Sequence, residues 1–169
     1  MYKYNFPDIK IYTSDNIPNE NEYDYTTSFF CLLPNLNIDL NKINPSPYLS
    51  VPDSLVQEKA NLECMNSNKK KVGIFWQGNP MVLQGRSIKL EQLKDLFEIE
   101  NIQIYSFQIS NFDIDSAEVK SQLPLIDLVP YIKSYADTAA FLKNIDTLVT
   151  IDTSIANLAG AMGIKTFLL

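Results

Sequence analysis

A chain of 169 residues, 46% apolar and with nine each of Tyr and Phe, can bury one substantial core, or one domain with an appendage. Its net charge of −6 argues against broad binding to nucleic acid or to a membrane surface. No run of about 18 apolar residues occurs, so no membrane span is expected. The opening MYKYNFPDIK also lacks the apolar core of a signal peptide, which makes the cytoplasm the expected location.

Residues 1–68 are rich in Asn, Pro, Tyr and Asp, with weak periodicity. A short strand is expected over residues 8–13, ending at Ser14-Asp15-Asn16. The apolar run 29–33 is expected to stop at Pro34, and Pro45, Pro47 and Pro52 punctuate an extended passage. Residues 53–65 predict one helix capped by Asp53 or Ser54. Lys69-Lys70-Lys71 reads as a solvated lead-in to a strand over 72–76, which ends in the loop signal Gln77-Gly78-Asn79-Pro80. Residues 89–97 carry Leu90, Leu93, Leu96 and Phe97 at helical spacing. A strand over 102–107, a helix over 116–123 and a minimal strand at 128–129 follow. Asp137 is expected to cap a helix running to Lys143. Strands over 147–151 and 166–169, separated by a small-residue helix, complete the pattern. Five strands alternating with helices predict an α/β, Rossmann-like parallel sheet, order 3-2-1-4-5, with helices on both faces and right-handed crossovers. The chain thus divides into an irregular segment, 1–68, and a sheet domain, 69–169.

The chain contains no histidine, which removes the commonest general base and the commonest transition-metal ligand. Cys31 and Cys64 lie far apart with no CxxC spacing, and two buried thiols are expected rather than a zinc site or a disulfide.

The residues that suit a ligand gather at the carboxyl ends of strands, where open α/β sheets bind theirs. Gly78-Asn79-Pro80 offers exposed N–H groups, although turn residues also explain themselves without a ligand. Arg86 can fork onto a diphosphate while Ser87 caps the next helix; a surface Arg beside an ordinary cap is the alternative. Asp152-Thr153-Ser154 opens a helix of small residues, and an anion at such a terminus gains about 0.3–1 kcal/mol from the dipole. A capping motif alone would use the same residues. Asp113-Ile114-Asp115 has the DxD spacing of some divalent-ion sites, but Asp115 or Ser116 is equally placed to cap the helix that follows, and no metal is predicted. Tyr131 and Tyr135 can stack on a base, with core packing the commoner fate of either.

Four blocks occur in order: VGIFWQGNP at 72–80, RSIKLEQL at 86–93, IQIYSFQ at 102–108, and ADTAAFLKNIDTLVTIDTSIANLAGAMGIKTFLL at 136–169. Together they resemble the carboxyl-terminal half of glycosyltransferase family 9, in the heptosyltransferase-like branch found behind tetratricopeptide repeats in bacteria. The resemblance covers residues 70–169 and extends loosely to Tyr23-Asp24-Tyr25 and 29–34, which look like the exit from an amino-terminal domain. It implies a GT-B architecture, with two Rossmann-like domains facing a cleft. It further implies no metal or cofactor and a nucleotide-diphosphate sugar as donor substrate. Thr153, Ser154 and Ile155 would then meet the donor diphosphate through backbone N–H groups, beside Asp152. Arg86 would neutralise the leaving diphosphate, and Gly78 and Asn79 would border the sugar or phosphates. Ser106, Gln108, Asp137 and Thr138 would lie near the nucleoside.

The chain departs from the family pattern in three ways. Asn157 stands where DTxxAHLAG has His, and Thr26 where relatives often carry another. The glycine-rich loop and the catalytic base of the family belong to an amino-terminal domain not represented in this sequence, so no catalytic residue is assigned. The sequence stops on the fifth strand, short of the family's closing elements, so the sheet domain is expected to be truncated at its carboxyl end. Two readings follow: a donor-binding glycosyltransferase-like domain, or a non-catalytic, decayed or interaction-only module with weak or no nucleotide binding. Expected partners are a separate GT-B amino-terminal domain, or a second copy pairing at the last strand.

Overall fold

The computed structural model describes residues 1–81, 85–109 and 117–169. Asp113-Ile114-Asp115 and Ser116 therefore lie outside the described residues. Contacts divide the chain into Tyr2–Ser46 and a larger unit, Pro47–Leu169 with Met1. The division falls at residue 46 rather than near 68, because residues 47–68 pack onto the sheet: Val51 and Met65 are buried in its core.

Tyr2–Ser46 holds two four-residue helices, α1 (Tyr2–Asn5) and α2 (Leu32–Asn35), and 3-10 turns at Glu20–Glu22, Phe29–Cys31 and Leu40–Lys42. None of its described residues is buried. The strand expected over 8–13 does not form; Ile9 and Ile11 alternate correctly, but no neighbouring strand pairs with them, and both are exposed. Pro34 does not stop the preceding run, because it sits in the first turn of α2, where its missing N–H has no intrahelical acceptor to lose.

In the larger unit, α3 (Asp53–Ala60) and a 3-10 turn (Glu63–Met65) replace the single helix expected over 53–65. Pro52 occupies the cap position without a side-chain bond, so neither Asp53 nor Ser54 caps. Five strands follow: β1 (Lys70–Phe75), β2 (Ile102–Ser106), β3 (Leu125–Asp127), β4 (Thr147–Thr150) and β5 (Thr166–Leu168). All pair in parallel, in the order β3-β2-β1-β4-β5, as the alternation of apolar runs and helices predicts. The third strand lies three residues earlier than expected. Leu128 instead plugs the core, and Val129–Tyr131 turns with Pro130 inside it.

The helices are α4 (Lys94–Phe97), behind a 3-10 turn at Leu90–Leu93, then α5 (Ala117–Ser121), α6 (Tyr135–Leu142) and α7 (Ser154–Ala161). Strand alternation sorts the sheet's apolar side chains into two clusters. Val72, Ile74, Trp76 and Ile104 meet Leu90, with Leu93, Leu96 and Phe97 packed around them. Tyr105, Phe107 and Leu148 meet Phe141, Leu142, Ile155, Leu158 and Met162 from α6 and α7. Gly73 lets the second cluster close on β1, since a Cβ there would stand 2.7 Å from both Ile145 and Phe107. The edge strand β5 exposes Phe167 and Leu168. Among the described residues no helix is long and apolar enough to cross a membrane.

Candidate functional site

The carboxyl end of β1 is shaped by a buried glutamine from beyond β2. Gln108 Oε1 accepts the N–H groups of Trp76 (3.1 Å) and Gln77 (2.9 Å), and its Nε2 donates to the Gln77 carbonyl at 2.9 Å. Ser106 Oγ accepts the Gln108 N–H at 3.2 Å. Of the four residues expected near a nucleoside, Gln108 therefore commits its amide to holding the 76–77 backbone.

Gly78 follows, and the Arg86 side chain lies directly on it. A Cβ at Gly78 would stand 2.5 Å from Arg86 Nε and 3.0 Å from Cζ, so only glycine admits this contact. The Gly78 N–H donates to Ser87 Oγ at 3.0 Å, which corrects the expectation that Ser87 caps a helix. The next turn starts instead with the Lys89 N–H on Gln92 Oε1 at 2.9 Å. Asn79 Oδ1 accepts the Met81 N–H at 2.9 Å, an Asx turn over residues 79–81.

Arg86 then reaches across to the end of β4. Its Nη1 donates to the Asp152 carbonyl at 3.0 Å, while its buried Nε has no hydrogen-bond partner among the described residues. No carboxylate makes an ion pair with it among the described residues. Thr153 is the cap residue of α7, in extended conformation (φ −149°, ψ 175°), yet its hydroxyl turns back to the Ile151 carbonyl at 3.3 Å. The first turn of α7 thus has no side-chain cap, and no acceptor among the described residues meets the N–H groups of Ser154 and Ile155. Tyr135 Oη donates to the Ser154 carbonyl at 2.7 Å; this tyrosine is half-exposed at the edge of the corner rather than packed in the core. Asn157 and the Asp152 side chain are exposed on the same terminus. The fold thus brings Gly78, Arg86, Asp152, Thr153, Ser154 and Ile155 to one corner. An unpaired guanidinium beside an uncapped helix start is chemically suited to an anion.

Asp137 and Thr138 lie elsewhere, buried in the first turn of α6. Ser134, not Asp137, caps that helix, accepting the Asp137 N–H at 3.2 Å. The Ser134-x-x-Asp137 spacing was a legible capping-box signal. The Asp137 carboxylate takes Lys59 Nζ at 2.7 Å, Ser134 Oγ at 2.8 Å and the Lys133 N–H at 3.1 Å. Burial alone would raise its pKa; these hydrogen bonds and the Lys59 charge outweigh that and hold it below the ordinary carboxylate value. Burial disfavours the charged form of Lys59, but Asp137 and Glu58 more than compensate and raise its pKa. Nothing local in the sequence announces Lys59, which meets Asp137 only because α3 packs on α6.

A cavity of about 210 Å³ is lined by Ser106, Gln108, Lys120, Ser121, Leu125 and Asp127. Cys31 is exposed and Cys64 half-buried, against the expectation of two buried thiols. Burial pushes the Cys64 thiol up, away from a reactive thiolate. Among the described residues, no three or more of His, Cys, Asp and Glu are grouped to hold a metal ion. No family model, curated protein or solved structure matches the chain.

Proposed function

We propose that the Pro47–Leu169 unit binds the diphosphate of a nucleotide-sugar donor, as the carboxyl-terminal domain of a glycosyltransferase of the family-9 type. The observation that carries this reading is the corner itself. Arg86, pressed on Gly78 and tied to the Asp152 carbonyl, has a buried Nε without an acceptor and stands beside the uncapped start of α7. A diphosphate would supply the missing acceptors and counter-charge. In sugar transfer the same donors would stabilise charge building on the leaving diphosphate.

Asn157 favours a second reading, of binding without turnover. It is exposed on α7 and can donate a neutral hydrogen bond, but it brings no positive charge to a leaving group.

Calorimetric titration of the full chain with pyrophosphate, ADP, UDP and GDP tests the binding. Saturable binding is expected, weakened about tenfold or more in Arg86→Ala, the loss expected for charged hydrogen bonds. Equal affinity in the two proteins would place the ligand elsewhere and sink the proposal. Hydrolysis of the nucleotide sugar separates the two readings, and only the enzyme reading predicts a rate above background.

A further inference from the structure

We propose that Gln108 is the positioning residue of the Arg86 corner: its side chain holds a bend at residues 76–77 that seats the guanidinium on Gly78. The consequence for binding rests on the diphosphate reading of that corner; the seat itself does not.

The hydrogen bonds define the bend. Up to Phe75 the backbone of β1 is held by its neighbours. The Ile74 carbonyl takes the Phe107 N–H at 3.0 Å, and the Phe75 carbonyl takes the Ile151 N–H at 3.2 Å. Beyond that point β2 and β4 have ended, and Trp76 and Gln77 are buried, so their N–H groups need acceptors that the ladder no longer supplies. In a strand, successive N–H groups point to opposite neighbours. Here those of Trp76 and Gln77 converge on one oxygen, Gln108 Oε1, at 3.1 and 2.9 Å, and Gln108 Nε2 closes on the Gln77 carbonyl at 2.9 Å. An extended chain cannot do this. The side chain therefore replaces the missing ladder with a bend.

The bend hands the chain to the loop that carries Arg86. The Trp76 carbonyl accepts the Ile88 N–H at 3.0 Å, and the Gly78 N–H meets Ser87 Oγ at 3.0 Å. Residues 76–78 are thus gripped both by Gln108 and by residues 87–88, directly beside Arg86. The seat has little tolerance, since a single Cβ on Gly78 would stand 2.5 Å from Arg86 Nε. From this seat Nη1 reaches the Asp152 carbonyl. Gln108 is itself buried, with its amide committed to the backbone at both ends, so its route to a ligand runs through Arg86.

Arg86 is the sole arginine of the chain, so its Nε–H gives one unambiguous signal in a nitrogen NMR spectrum of the ligand-free protein. A seated, buried Nε–H should exchange slowly with water. Protection is expected in the parent. It should be lost in Gly78→Ala, where the added Cβ displaces the guanidinium, and in Gln108→Met, which keeps the side chain's bulk and none of its hydrogen bonds. Where Gln108→Met does not fold, Gln108→Asn, one methylene too short for the grip, takes its place. Pyrophosphate titration of the same proteins should show about a tenfold loss in each single variant, the scale of a misplaced charged hydrogen bond. Because both changes act on one seat, the pair should cost little more than either alone, instead of the roughly hundredfold of two independent tenfold losses. An Nε–H unprotected in the parent, or still protected in the folded Gln108 variant, overturns the positioning role. So do losses that multiply, or a Gln108 variant that binds like the parent while Arg86→Ala does not. An Nε–H freed by the Gln108 variant, with pyrophosphate binding absent or indifferent to Arg86→Ala, upholds the positioning role and overturns the diphosphate reading instead.

Discussion

Two cations in the larger unit are held in opposite ways. Lys59 lies in the seam between α3 and α6 with Asp137 at 2.7 Å and Glu58 at 3.0 Å, and its ammonium also sits 5.8 Å from the centre of the Phe141 ring. Arg86, at the carboxyl edge of the sheet, has a carbonyl for one nitrogen and no acceptor for the buried Nε. The seam is electrostatically finished by the chain's own residues, whereas the corner is not. A buried charge with its partners in place is structural machinery. A guanidinium held in position by a glycine and a backbone carbonyl, next to bare helix N–H groups, is arranged for something that arrives from outside.

The contrast breaks most sharply at Asp137. Asp137→Ala strips Lys59 of its closer partner and leaves Glu58, itself largely exposed, as the remaining one. Stability should fall by about 3 kcal/mol, the cost of leaving one half of a buried pair behind. Urea unfolding measures this, and a loss under about 1 kcal/mol would show that the seam tolerates an unpaired Lys59. The double replacement Lys59→Met with Asp137→Leu should recover most of the loss, since apolar groups of similar volume need no partner. Diphosphate affinity of the folded double variant should match the parent, because among the described residues neither Lys59 nor Asp137 bonds to a corner residue.

Gly78→Ala tests the other side. Gly78 is not among the glycines with positive φ, so alanine brings no backbone strain there. Its Cβ would stand 2.5 Å from Arg86 Nε, and the guanidinium must shift to clear it. Diphosphate affinity should drop about tenfold, the loss expected when a charged hydrogen bond is misplaced, with little change in the urea midpoint. Unchanged affinity would mean that the seat of Arg86 on Gly78 is irrelevant to binding.

A pH series separates the regions without altering the backbone. The folded pKa of Asp137 lies below its ordinary 3.8, so its contribution is complete above that value and is lost as pH falls through the folded pKa. The folded pKa of Lys59 lies above 10.5, so its contribution is complete below that value and is lost as pH rises through the folded pKa. Asp146 at the other edge of the sheet, lowered by the Lys71 N–H and by Lys70, adds its own share to the acid limb. The acid limb should therefore flatten in the Lys59/Asp137 double variant without vanishing. A limb as steep as the parent's would assign acid sensitivity to Asp146 and groups other than the seam.

The strands were legible in the sequence because residues such as Ile74, Ile104 and Leu148 are buried whatever their distant partners are. The order β3-β2-β1-β4-β5 is one of the common doubly wound orders that such alternation allows. The site was legible only as separate pieces. That Arg86 lies on Gly78 depends on a loop returning eight residues later, and its bond to Asp152 spans 66 residues. No local pattern encodes either contact. The third strand was misplaced because Leu128 and Val129 are apolar enough for a strand, while the parallel register puts Leu125, Ile126 and Asp127 opposite Ile104, Tyr105 and Ser106. The roles of Ser87 and Gln108 were hidden for the same reason, since each bonds to backbone that only folding brings near.

The smallest expected effect falls on Tyr135, which stands between the two regions: it begins α6, the helix of the seam, and bonds to the first turn of α7, the helix of the corner. Tyr135→Phe deletes the 2.7 Å bond to the Ser154 carbonyl and keeps the ring. A half-exposed hydroxyl returns to water on unfolding, so the loss should sit near the low end for a neutral hydrogen bond, about 0.5 kcal/mol. In a unit of this size that is a fall in Tm of about 1–2 °C. A carbonyl is no ligand for an anion, so this bond fixes the helix start without competing for the diphosphate, and affinity should change less than twofold. If affinity instead falls as far as in Gly78→Ala, the Tyr135 hydroxyl meets the ligand directly, and the corner extends onto the helix that the seam anchors.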